Sequence, residues 1–74
     1  MLQKNEAEAH PVERERRILR RPEVEAKTGF KRAHIYNLMQ EGKFPKPIRL
    51  GIRAVGWDSF EIDQWIAERL LERA

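Results

Sequence analysis

Pro45 and Pro47, with one residue between them and Gly42 shortly before, divide this chain into two parts that no single helix can join. Each proline lacks the N–H that a helix interior requires, and each pushes the residue before it toward extended backbone. A helix on the N-terminal side must therefore stop at Gly42, and the chain beyond must restart as extended backbone. The chain has 74 residues and no cysteine. Neither part is long enough for a core of its own, and there is no disulfide to staple one. The two parts have to share one small core.

On the N-terminal side, a first helix is predicted from about Pro22 to Lys27 or Thr28. Proline suits the first turn, Glu23 and Glu25 suit the positive end of the helix dipole, and Gly29 suits the stop. Val24 and Ala26 are its small apolar contribution, with Phe30 packing at the turn. A second helix is predicted from Lys31 or Arg32 to Glu41. Ile35, Leu38 and Met39 fall at the spacing of one buried stripe. At about 100° per residue, the opposite face carries Ala33, Asn37 and Gln40, with His34 and Tyr36 on its flanks. Two short helices joined through about three residues at Gly29 match a helix-turn-helix.

On the C-terminal side, Phe44 reads as a core plug between the prolines. Ile48-Arg49-Leu50 alternates like a half-buried strand, Gly51-Ile52-Arg53 reads as a turn, and Ala54 to Trp57 as the return strand. This places Arg49 on the outward face of a hairpin and Arg53 at its tip. Ile18-Leu19 is long enough for a short third strand beside that hairpin. Asp58 is a good N-cap for the last helix, with Glu61 three residues on as in a capping box. Ile62, Trp65, Ile66 and Leu70 form its buried stripe, and Leu71 lies off it. The expected fold is mainly α with a small β-hairpin: a compact winged helix-turn-helix with three helices and a two- or three-stranded sheet. Its domain spans residues 17–74, behind a flexible tail at 1–16, where the sequence is polar and mixed in charge.

Charge follows this division. The net charge of +3 arises from about +1 over residues 1–30, about +5 over 31–56 and about −3 over 57–74. The middle segment holds Lys31, Arg32, Lys43, Lys46, Arg49 and Arg53 against Glu41 alone. Basic charge gathered over one segment is the electrostatic footprint of a nucleic-acid surface. An outer helix face without a carboxylate before Glu41 suits the acceptor-rich major groove. Arg32, His34 and Asn37 are therefore expected at base edges, with Ala33 near a thymine methyl. Lys31, Tyr36, Lys43, Lys46, Arg49 and Arg53 are expected at phosphates. No nucleophile–base pair stands at a recognisable spacing, and the chain is short for a buried pocket, so neither an enzyme nor a small-molecule site is expected. His10 and His34 lie too far apart in sequence for a good metal site, and no cofactor is expected. No apolar run approaches the roughly 18 residues of a membrane span.

As an ordered set, several short motifs resemble the AlpA family of small phage-type regulators, which are similar to excisionase and MerR-like winged helix-turn-helix proteins. They are Arg-Arg-Pro-Glu-Val at 20–24, Thr-Gly-Phe at 28–30, Ile-Tyr at 35–36 and Glu-Gly-Lys-Phe-Pro-Lys-Pro at 41–47. Leu-Gly at 50–51, Arg-Ala-Val-Gly-Trp at 53–57 and Glu-Ile-Asp-Gln-Trp-Ile at 61–66 complete the set. The resemblance covers about residues 17 to 70. It implies binding of double-stranded DNA through the second helix and the wing, control of prophage or integrated-element genes, and a cytoplasmic, nucleoid-associated protein of bacterial or phage origin. Where relatives carry Ser-Arg-Ser-Thr ahead of Ile-Tyr, this chain has Lys31-Arg32-Ala33-His34, so only Arg32 carries over directly, and the serine N-cap is lost. Asn37 replaces a residue that is often basic and adds an adenine reader. Two alternatives stay open: an architectural, excisionase-like factor that bends DNA beside an integrase, and a protein-interaction module or antirepressor. A single domain reading one turn of DNA binds weakly, which favours a homodimer or cooperative multimer on DNA.

Overall fold

The computed structural model describes residues 15–73. Residues 1–14, most of the segment read above as a tail, lie outside them. Strand β1 (Ile18–Leu19) leads into helix α1 (Arg21–Thr28) and helix α2 (Arg32–Gln40). Strands β2 (Ile48–Arg49) and β3 (Val55–Asp58) follow, and helix α3 (Ser59–Glu72) ends the described chain. The three strands form an antiparallel sheet in the order β1-β3-β2. This is the expected winged helix-turn-helix, with three helices and the larger of the two sheets allowed for.

Local chemistry accounts for the helix ends. At the start of α1 the Glu23 carboxylate accepts the Arg20 N–H at 2.9 Å, satisfying a donor that the helix leaves without a partner. Arg17 also binds Glu23, and the two hydrogen bonds, led by the one from Arg20, hold its carboxyl below the usual glutamate range. At the other end Gly29 adopts φ 78° and its N–H donates to the Glu25 carbonyl at 2.7 Å. Helix α2 ends in a Schellman motif, with Gly42 at φ 73°, its N–H on the Met39 carbonyl and the Lys43 N–H on the Leu38 carbonyl.

Leu19, Val24, Ile35, Phe44, Trp57 and Ile62 form the core, one from each helix, from β1, from β3 and from the proline segment, with Phe30, Leu38, Met39, Val55, Trp65 and Ile66 packed around it. Two indole N–H groups tie the proline segment to that core. Trp57 Nε1 donates to the Pro45 carbonyl at 3.1 Å and Trp65 Nε1 to the Lys43 carbonyl at 2.9 Å. Phe44 points inward between them, its ring 4.9 Å from that of Trp65.

The sheet register differs from the alternation read in the sequence. Arg49 pairs with Val55 and Ile48 with Gly56, and directly paired residues share a face. Arg49 therefore lies on the Val55 and Trp57 face, while Ile48 and Leu50, both exposed, take the other. Gly56 explains the exchange. A Cβ there would overlap Ile18 Cγ2 and lie 3.0 Å from the Leu19 carbonyl and 3.1 Å from Leu50 Cδ1. The side chains of the flanking strands close over the glycine instead of entering the core.

Three smaller expectations also change. Leu70 is 54% exposed, because a helix of 14 residues, about 21 Å long, outruns the small body beneath it. Ala26 is exposed and contributes nothing to the core. Asp58 caps α3 through the Phe60 N–H at 3.1 Å, but Glu61 does not complete a capping box.

The Asp58 carboxylate is shared with Arg16, whose guanidinium donates to both oxygens. One residue along, the Ser59 hydroxyl accepts the Arg17 N–H and the Ser59 N–H donates to the Arg17 carbonyl, each at 2.8 Å. Arg16 and Arg17 are thereby held against the start of α3. The Arg16 hydrogen bond, with help from the Phe60 N–H, holds the Asp58 carboxyl below the ordinary aspartate range against the opposing effect of burial. A folded-state pKa below the unfolded value adds stability above the unfolded pKa, near 4, and that stability is lost as pH falls through the folded value. Denaturation midpoints measured from neutral to acid pH should decline below about pH 4, and Asp58→Asn should flatten that decline. An equally steep decline in the variant would remove Asp58 as its source.

Candidate nucleic-acid interface

The residues expected to touch nucleic acid are carried on three supports: α2, the proline segment and the β2–β3 hairpin. Lys31 is the N-cap residue of α2, in extended backbone, and makes no side-chain cap bond. The N-cap is weak, as the absence of serine at this position implies: among the described residues no side chain caps the first-turn N–H groups of α2. Arg32 opens the helix, its Cζ 5.5 Å from the centre of the Tyr36 ring one turn later. Ala33, Asn37 and Gln40 are exposed on the outer face, and Tyr36 is half-buried on its flank. Ile35, directly opposite, is fully buried.

His34 is set apart from this group. Its ring stacks on Phe30 with centroids 4.0 Å apart. It lines a groove of about 480 Å³ between α2 and α3, together with Leu38, Trp65, Arg69 and Glu72. The side chain is exposed, but it lies on the flank facing the acidic last helix, away from Arg32 and Tyr36.

Lys43 and Lys46 are exposed on a segment whose backbone is fixed by the two indole bonds and the buried Phe44. In the hairpin, the Ala54 carbonyl accepts N–H bonds from both Leu50 (2.8 Å) and Gly51 (3.2 Å). This closes a tip formed by Gly51, Ile52 and Arg53. Arg53 is exposed at that tip and Arg49 is exposed on strand β2 at the sheet edge.

Ion pairing divides the surface. Arg16–Asp58, Arg17–Glu23, Arg21–Glu25, Lys27–Asp63 and Arg69–Glu72 neutralise one another outside the basic segment. Within it, Lys43 reaches Glu41 at 3.8 Å. Lys31, Arg32, Lys46, Arg49 and Arg53 form no ion pair among the described residues. Carboxylates of α3 that would otherwise compete for them are partly engaged elsewhere, Asp63 with Lys27 and Glu72 with Arg69.

Two residues join the surface that were not assigned there from the sequence. Gln40 has an amide suited to base edges, and its position on the outer helix face was the only available signal. Arg20, just beyond β1, donates from Nε to the Val55 carbonyl of the neighbouring strand β3 at 3.0 Å, at the base of the hairpin. Nothing local announces that contact between residues 35 apart, which depends on β1 pairing with β3.

Among the described residues, no helix is long and apolar enough to cross a membrane, and no group of three or more His, Cys, Asp or Glu is placed to hold a metal ion.

Comparison with known proteins places this arrangement in a family. The family model described as Prophage CP4-57 regulatory protein (AlpA) matches residues 17–70, the span from β1 to near the end of α3. The chain is 44% identical, over a 59-residue alignment covering 72% of this chain and 84% of the relative, to the DNA-binding transcriptional activator AlpA of Escherichia coli (strain K12). It is 40% identical over 57 residues to the uncharacterized protein ORF88 of Enterobacteria phage P4, an alignment covering 77% of this chain and 65% of that protein. With a family model matching residues 17–70 and a relative 44% identical over 59 residues, the chain belongs to the AlpA family.

Proposed function

We propose that this protein is a sequence-specific double-stranded DNA-binding transcriptional regulator that controls prophage or integrated-element genes. Helix α2 enters the major groove, with Arg32 and Asn37 at base edges, Ala33 against a thymine methyl, Gln40 on the same face and His34 at its border. Lys31, Tyr36, Lys43 and Lys46 hold phosphates, while Arg49 and Arg53 carry the wing onto the backbone or minor groove. The observation that carries this reading is that Lys31, Arg32, Lys46, Arg49 and Arg53 form no ion pair among the described residues, where most of the other cations do. Phosphates supply the missing partners, and release of their counterions drives association. The relative named as a DNA-binding transcriptional activator supports the same assignment.

An NMR titration of labelled protein with duplex DNA from the region flanking its own gene tests the reading. Amide shifts are expected over residues 31–41 and 49–55, and they should collapse at high salt. Shifts centred on α3, where Leu70 and Leu71 are exposed, would overturn it in favour of a protein partner.

A further inference from the structure

Ile52 stands at the tip of the hairpin, 89% exposed, more than any other large apolar side chain in the described structure. Scattered surface apolar residues are ordinary, but this position is not. Tight turns select Gly, Asn, Asp and Ser, whereas β-branched residues favour strands. Nothing in the fold uses the side chain, which lies far from the core at the end of two short strands. Its surroundings are those of an insertion element. Arg53 follows it directly and Arg49 lies on the strand leading to the turn, both without ion pairs among the described residues. The base of the tip is closed by the two bonds to the Ala54 carbonyl. The isoleucine itself is stiff at χ1, so little freedom is lost when it is confined.

We propose that Ile52 is an apolar wedge that enters the minor groove beneath the wing and partly unstacks one base step, with Arg49 and Arg53 on the flanking phosphates. This rests on the DNA-binding reading above and adds a specificity element to it. Apolar side chains inserted from the minor groove unstack and kink the duplex. Pyrimidine–purine steps yield most easily to such deformation. The wing therefore selects a flexible step that it does not read by hydrogen bonds.

The test uses the full chain and short duplexes that it selects from a randomised pool, with 2-aminopurine placed at successive steps along the wing-proximal segment. Wild-type protein should raise the fluorescence at one step, and replacing that step by a stiff A-tract step should weaken binding. Ile52→Ala should abolish the fluorescence change and weaken binding about tenfold, with an unchanged salt slope and circular dichroism spectrum. Ile52→Leu should retain both effects. Wild-type binding with no fluorescence change at any step would overturn the wedge and leave the DNA-binding reading intact. So would a change that survives in Ile52→Ala. Failure of the folded wild-type protein to bind any duplex would overturn both.

Discussion

Replacing Trp57 by alanine is expected to leave the domain largely unfolded at room temperature. Trp57 lies on the central strand with its side chain fully buried, paired with Leu19 and surrounded by core residues from the other elements. Truncating a buried aromatic to alanine costs about 3–5 kcal/mol, from lost transfer energy and the cavity left behind. The Pro45 carbonyl also loses the indole N–H it accepts. A single-core domain of this size has a net stability of roughly 3–5 kcal/mol, so the loss is comparable to the whole. Trp57→Phe keeps most of the apolar volume and should show a clear but smaller loss, including about 1 kcal/mol for the missing hydrogen bond. Urea unfolding followed by far-UV circular dichroism checks both. A cooperative transition for Trp57→Ala with a midpoint near the wild type would show that the proline segment and sheet are not held together through this residue.

The second large effect concerns DNA. Arg32→Ala or Asn37→Ala should each weaken binding to the preferred duplex by about 1–3 kcal/mol while leaving other sequences less affected, because a base contact carries sequence information. Arg53→Ala should weaken all duplexes by a similar factor and reduce the salt slope by about 1, because a phosphate contact carries none. If about six to eight phosphates are neutralised in the wild-type complex, the logarithm of affinity should fall with the logarithm of salt at a slope of roughly −5 to −7. Fluorescence anisotropy over a range of salt, on preferred and scrambled duplexes, separates the two classes. A flat salt dependence would remove the phosphate assignments. Equal losses on both duplexes for Arg32→Ala would remove it from base readout.

Helix boundaries were readable because their causes are local. Gly29 and Gly42 stop the first two helices through left-handed backbone at the residue itself. Asp58 starts the third through a bond to an amide two residues away. The outer face of α2 was equally legible, because 100° per residue places Ala33, Asn37 and Gln40 opposite Ile35 without reference to the rest of the molecule. His34 was harder. A helical wheel puts it on a flank, but only the turn that brings Phe30 against it decides which neighbour that flank meets.

What the sequence by itself determined is therefore the set of elements, their order, most but not all of the core (Leu70, Ala26, Ile48 and Leu50 are exposed) and the gathering of basic charge between Lys31 and Arg53. The tertiary structure decided much of the ion pairing around that segment among the described residues. Arg16 meets Asp58 across 42 positions and Lys27 meets Asp63 across 36, so these two pairs form only once the sheet and α3 are in place, whereas Arg21–Glu25 and Arg69–Glu72 are local to their helices. It also decided the face of Arg49, which strand alternation assigned to the outside. A period of two says which residues share a face but not which face is inside. That choice falls to strand register, and here to a glycine at position 56 with no room for a Cβ.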